Sequence, residues 1–179
     1  MKKYDTIFLD RDGTLNPDPG YINSLEQFSF FPFTMDALKL MKSIGNNFCI
    51  ITNQSGIARG IIEPEELNKI HRYVKEAFIK HDLPLLDIFV CTDHPDLATD
   101  RRKPGTEMFL EAAEKYTMQL DKCIMIGDSF GDMEAGRRLG MDTLLVLTGK
   151  GRLLSKEKFS PTYTAENLLT GAKILAGTV

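Results

Sequence analysis

Five short apolar runs constrain this chain more than anything else in it: TIFL (6–9), NFCII (47–51), LDIFVC (86–91), CIMI (123–126) and TLLVL (143–147). Each is continuous rather than alternating, the pattern of a strand covered on both faces within a parallel sheet. Apolar residues recur at helical spacing between them. Ala37, Leu38, Met41 and Ile44 share one face of 34–44, with Thr34 placed to cap the start and Gly45 to end the helix. Leu67, Ile70, Val74, Ala77 and Phe78 do the same over 64–81, where Pro64 suits the first turn. Further helices are expected over 105–117, 131–139 and 164–176. Strands alternating with helices imply an α/β chain, a Rossmann-like three-layer sandwich around a mostly parallel central sheet. The irregular segment 13–33, rich in Pro, Gly and aromatics, reads as a flap or β-hairpin.

Composition narrows the classes. At 179 residues the chain is expected to form one domain, 1–179, large enough to bury a core without staples. A net charge of −3 argues against a nucleic-acid partner, which calls for a basic surplus. The apolar runs are far too short to span a bilayer, so no membrane partner is expected. Asp5 interrupts the N-terminus before any long apolar stretch, unlike a secretory signal. Cys49, Cys91 and Cys123, odd in number and widely spaced, suit a reducing cytoplasm. A monomer or small homo-oligomer is expected.

In open parallel sheets ligands bind beyond the carboxyl ends of the strands, so the residues after each run matter most. They are Asp10-Arg11-Asp12-Gly13-Thr14, then Thr52-Asn53-Gln54-Ser55-Gly56, then Lys103 with Pro104 opening a helix, then Gly127-Asp128-Ser129-Phe130-Gly131-Asp132. The acids Asp10, Asp12, Asp128 and Asp132 cannot all stay ionised together without a cation, because like charges raise one another's pKa. A hard divalent ion with oxygen ligands, Mg²⁺, resolves the conflict and leaves room for a phosphate. Thr52 and Lys103 are then donors for that anion. In Asp10-x-Asp12 one carboxylate can act as nucleophile and the other as general acid and base. Singly, each motif is a turn or a capped helix start; together, in this order, they point to phosphoryl transfer. A phosphoacceptor receiver module would also cluster Asp, Thr and Lys around Mg²⁺. It would carry its acceptor after the third strand, where this chain has Cys91-Thr92-Asp93.

At these residues the chain resembles the haloacid dehalogenase superfamily of phosphohydrolases. DRDGTLN at 10–16, TNQSG at 52–56, Lys103 and GDSFGD at 127–132 match its four motifs. The resemblance implies Asp10 as nucleophile, Asp12 as acid/base, and Thr52 and Lys103 as phosphoryl holders. It implies Mg²⁺ on Asp10, Asp128 and the Asp12 carbonyl, with Asp132 in support. The intervals between motifs leave no room for a cap domain. Within the capless branch, PGYI, TNQSGIARG, RKPG and LTGKG resemble phosphatases that remove the 7-phosphate of D-glycero-D-manno-heptose 1,7-bisphosphate. Histidinol-phosphate phosphatases are the sister alternative. The heptose match implies substrate contacts from Asp18, Pro19, Gly20, Tyr21, Asn53, Gln54, Ser55 and Arg102, hence a small phosphorylated sugar as partner. Arg59 is a weaker candidate, and Arg101 has no place in the pattern. Many members carry a structural zinc on Cys-x-His and Cys-x-Cys pairs before the RKP motif. Here those positions read Cys91-Thr92-Asp93 and Thr99-Asp100-Arg101, so structural zinc is expected to be absent, and Pro95, Pro104 and hydrogen bonds from Asp93 or Thr99 are expected to stiffen the loop instead.

Overall fold

A computed structural model describes residues 2–154 and 160–178. Its centre is one six-stranded sheet, every neighbouring pair parallel: β1 (Tyr4–Leu9), β2 (Gly45–Asn53), β3 (Leu85–Cys91), β4 (Ile124–Gly127), β5 (Asp142–Val146) and β6 (Tyr163–Ala165), in the order β3-β2-β1-β4-β5-β6. The helices are α1 (Thr34–Met41), α2 (Pro64–Lys80), α3 (Glu107–Tyr116), α4 (Phe130–Arg138), the one-turn α5 (Gly151–Leu154) and α6 (Leu168–Leu175). Among the described residues no helix is long and apolar enough to cross a membrane, and no element forms a cap.

Alternate strand residues enter two separate cores, which is why the runs are continuous. Ile7, Leu9, Phe48, Ile50, Ile124 and Ile126 pack with α1, α2 and α6; Phe8, Cys49, Ile51 and Met125 pack with α3 and α4. Aromatic pairs anchor both layers, Phe48 edge-on to Phe78 at 5.9 Å and Phe8 edge-on to Phe109 at 5.2 Å. Burying each such side chain contributes about 1.5–3 kcal/mol. The chain leaves β3 and returns beside β1, so connections diverge in opposite directions between β1 and β4. That is the switch point where a crevice opens at the strand ends. There the Asp10 amide donates to the Ile126 carbonyl at 2.9 Å.

Several expectations need correction. Of the two readings of 13–33, the hairpin is overturned: the segment follows from an isolated bridge between Asp12 and Asn16 and holds a 3₁₀ turn at Leu25–Gln27. Its Leu15, Ile22 and Phe28 enter the core instead of pairing across strands. Thr34 caps nothing; its hydroxyl donates to the Leu15 carbonyl at 2.7 Å and staples that segment to α1. α1 stops at Met41, and Gly45 opens β2, where a Cβ would run into the Ile7 side chain. Pro104 does not open α3, which begins at Glu107. The expected helix over 164–176 begins at Leu168, capped by Asn167 accepting from the Thr170 amide at 2.9 Å. Residues before that cap form β6, whose three positions are too few to show a period.

Candidate active site

The ends of β1, β2 and β4 and the loop after β3 surround a cleft of about 410 Å³. Asp10, Asp12, Asp18, Gly20, Tyr21, Thr52, Asn53, Gln54, Ser55, Arg102, Lys103 and Asp128 all line it. Pro19 is exposed and lies outside the lining, and Asp132 sits fully buried beneath it.

Lys103 is the centre of the floor. Its ammonium donates to Asp10 Oδ1 at 2.8 Å, the Ile51 carbonyl at 2.7 Å and Asp132 Oδ1 at 2.5 Å, which uses all three of its hydrogens. Burial opposes the Lys103 charge, but the Asp10 and Asp132 carboxylates outweigh it and hold the ammonium above the ordinary lysine range. Asp132 also accepts from the Ser129 amide and hydroxyl, closing the capping box that starts α4. Oxygens of Asp10, Asp128 and Asp132 lie within 4.8 Å of one another, the one such group of possible metal ligands among the described residues.

Three acids face one ammonium there. Burial, then the Asp132 charge, pushes the Asp10 carboxyl well above the usual range, and the same two causes push Asp128 up to about 7. Asp128 is held tightly. Its Oδ2 accepts from the Lys150 amide at 2.7 Å, and a Cβ on Gly13 or Gly149 would overlap its carboxylate. Both glycines have positive φ, +84 and +54, so only glycine allows these turns to close on the acid.

Asp12 faces a different environment. Oδ1 accepts from Arg11 Nε at 3.0 Å and Asn16 Nδ2 at 2.8 Å; Oδ2 accepts from Arg11 Nη2 at 2.8 Å and Gln54 Nε2 at 2.7 Å. Burial acts to raise this carboxyl, but the Arg11 charge and the bonds from Arg11, Asn16 and Gln54 prevail and hold it below the usual range. Gln54 also donates to Thr52 Oγ1 at 2.9 Å, which leaves the Thr52 hydrogen for the cleft. The Asn53 amide exchanges two 3.1 Å bonds with the Lys103 main chain, so it positions Lys103.

The rim combines loops distant in sequence. Asp18 accepts from the Gly20 amide at 2.9 Å and pairs with Lys150 Nζ at 3.3 Å. Tyr21 packs over Gly56, where a Cβ would crowd its ring. Arg102 carries a buried Nη1 with no hydrogen-bond partner. The loop before it is tied by Asp93, which accepts from the Thr99 amide at 2.9 Å and hydroxyl at 2.6 Å. Arg101 anchors the same loop to β3 through the Val90 carbonyl at 3.2 Å and to α3 through Glu111 at 2.6 Å. Arg11, Asn16, Lys150 and this use of Arg101 escaped the sequence. Arg11 lay inside DRDGT and Lys150 inside LTGKG, but neither motif says which way a side chain turns.

The model of the HAD-hydrolase-like family matches residues 100–171. The D-glycero-beta-D-manno-heptose-1,7-bisphosphate 7-phosphatase of Pasteurella multocida is 33% identical over 99% of this chain and 98% of its own length. The Haemophilus influenzae protein of that name is 36% identical over 80% of this chain and 82% of its own. Among solved structures, the D,D-heptose 1,7-bisphosphate phosphatase of B. bronchiseptica complexed with magnesium and phosphate superposes with a TM-score of 0.88. It is 31% identical and covers 98% of this chain and 99% of that one. Strand order, the acids at the β1–β4 switch point and full-length similarity agree: this chain belongs to the phosphatases of the haloacid dehalogenase-like hydrolase family, beside the heptose bisphosphate 7-phosphatases.

Proposed function

We propose that the chain is a Mg²⁺-dependent phosphomonoesterase that removes the 7-phosphate of D-glycero-D-manno-heptose 1,7-bisphosphate. The observation that carries this is the surplus of buried carboxylate over ammonium where Asp10, Asp128 and Asp132 meet Lys103. An all-oxygen, negatively charged donor set fits Mg²⁺. Asp10, Asp128 and the Asp12 main-chain carbonyl would hold the ion, with Asp132 in support. When bound it neutralises charge on the phosphoryl oxygens.

Asp10 attacks phosphorus, the phosphorus–sugar oxygen bond breaks, and an aspartyl-phosphate forms. Asp12 gives its proton to the departing alkoxide and later takes one from the water that releases phosphate. Arg11 favours the ionised form of Asp12 in the free protein, and a phosphoryl dianion arriving beside it raises its proton affinity again. Thr52 donates to a phosphoryl oxygen. Lys103 does so by exchanging its bond to Asp10, since its other two donors are anchored.

Besides Lys103, the cations Arg59, Arg102 and Lys150 line the cleft and support a substrate with a second phosphate over histidinol phosphate, whose ammonium they repel. The unpaired Arg102 Nη1 suits a phosphate or hydroxyl oxygen of that substrate. One sheet carrying all six strands supports a single domain over 1–179, and three free, buried thiols support a cytoplasmic site. We expect kcat/KM for heptose 1,7-bisphosphate to exceed that for histidinol phosphate by about 100-fold or more. Assays with both anomers and with histidinol phosphate, each with Mg²⁺ and with chelator, check this; preference for histidinol phosphate would sink it. Structural zinc is expected to be absent, because Asp93, Thr99 and Arg101 stand where the Cys-x-His and Cys-x-Cys pairs would supply ligands; hydrogen bonds from these three residues tie the 91–101 loop instead. Elemental analysis finding one zinc per chain would overturn that.

A further inference from the structure

Among the described residues Arg11 is the largest fully buried side chain, at 0% exposure, and a buried guanidinium must satisfy its donors. Nε and Nη2 form a fork on the Asp12 carboxylate, at 3.0 and 2.8 Å. Nη1 lies 3.2 Å from Nε2 of His71, a residue of α2 outside the cleft lining. An arginine cannot accept a hydrogen bond, so His71 Nε2 must be the acceptor and its ring the neutral Nδ1–H tautomer. Burial and the Arg11 charge agree, holding the imidazole down at about 3. The Phe28 ring lies 5.9 Å from the guanidinium carbon and restricts its tilt.

We propose that His71 is a positioning residue for Asp12, acting through Arg11. The imidazole fixes the third nitrogen of a planar group, which orients the fork formed by the other two. A guanidinium without that acceptor turns toward another partner, and the carboxylate it holds turns with it. Asn16 and Gln54 contact Asp12 directly from one side each; His71 sets the plane against which both work. The role rests on the reading of Asp12 as the proton donor to the leaving group.

That dependence gives the test its shape. Protonation matters for a sugar alkoxide and hardly at all for the phenolate of 4-nitrophenyl phosphate, and kcat/KM reports the step that cleaves the ester. In His71→Leu, kcat/KM for heptose 1,7-bisphosphate is expected to fall about 10-fold and that for 4-nitrophenyl phosphate less than about 2-fold. His71→Gln, which keeps an acceptor at similar reach, is expected to restore the loss to within about 3-fold. Should the leucine variant fail to fold, His71→Asn replaces it, since its shorter amide stops short of Nη1. Equal losses on both substrates, no loss on either, or a glutamine variant as poor as the leucine one would overturn the proposal. Asp12→Asn separates the two readings: it is expected to show the same substrate contrast, larger. If it does and His71→Leu does not, only the role of His71 falls. If it shows no contrast, the role of Asp12 falls and that of His71 with it.

Discussion

Asp10→Asn is expected to lower turnover of any phosphate ester by about 10⁴-fold or more, the scale on which a lost nucleophile acts. The same change should leave the melting temperature of the metal-free protein unchanged or higher. Asparagine is close to isosteric, and it removes one of three carboxylates that repel one another around a single ammonium. Lys103 keeps Asp132 and the Ile51 carbonyl, so its charge stays paired. Steady-state assays with 4-nitrophenyl phosphate and thermal unfolding of the same samples separate chemistry from folding. Activity within about 10-fold of the native chain would remove Asp10 from the nucleophile's role. A large loss of stability beside lost activity would mean the fold needs that acid.

Metal removal should be the second large effect, visible in stability as well as rate. Chelation is expected to abolish turnover. It should also reveal a pH dependence with the sign of raised carboxylates. The Asp128 carboxyl stands at about 7 in the folded protein against 3.8 in its unperturbed state, and Asp10 is raised as well. Between about pH 4 and pH 7 the folded state therefore binds protons more tightly than the unfolded chain. Their contribution is fully present below that window and is lost as pH rises through it. Mg²⁺ replaces those protons, so the gain in melting temperature on adding it should be larger at pH 8 than at pH 5. At a hundred times its dissociation constant a bound ion stabilises by about 2.7 kcal/mol, roughly 5–10 °C for a chain of this size. The difference with and without Mg²⁺ is the quantity to read. Carboxyls held low, such as Glu134 paired with Arg137 and Arg138, act in the opposite direction with or without metal. An equal or smaller Mg²⁺ gain at pH 8 would contradict the charge arrangement described for the cluster.

The strands and the acids after them were legible because each rests on a local rule. A strand covered on both faces must be apolar at every position, and Ile7, Phe8 and Leu9 divide between two cores as that requires. Ligands gather at strand ends, so the sequence alone assigns DRDGT, TNQSG and GDSFGD to one crevice. β6 was not legible, since three residues carry no period, and the cap at Asn167 marked the helix start only once the strand was seen. The course of 13–33 was hidden for another reason. Its aromatics satisfy a hairpin pattern and a core contact equally well, and the hydroxyl of Thr34 decides nothing until Leu15 lies beside it.

The zinc-like loop shows both limits together. Its missing ligands could be read in the letters, and so could Asp93 and Thr99 as stiffeners, because that bond spans six residues. Arg101 could not be read, because its partners Val90 and Glu111 lie eleven and ten positions away.

By itself the sequence determined the layers of the sheet, the order of the motifs and the chemical types that meet in the cleft. Those follow from burial and from spacing along the chain. Only the tertiary structure decided which charges face each other: Lys103 between Asp10 and Asp132, and Arg11 between Asp12 and His71. A side chain's partner depends on contacts between segments 29 to 93 positions apart, or on which way a single buried guanidinium turns. No periodicity records either.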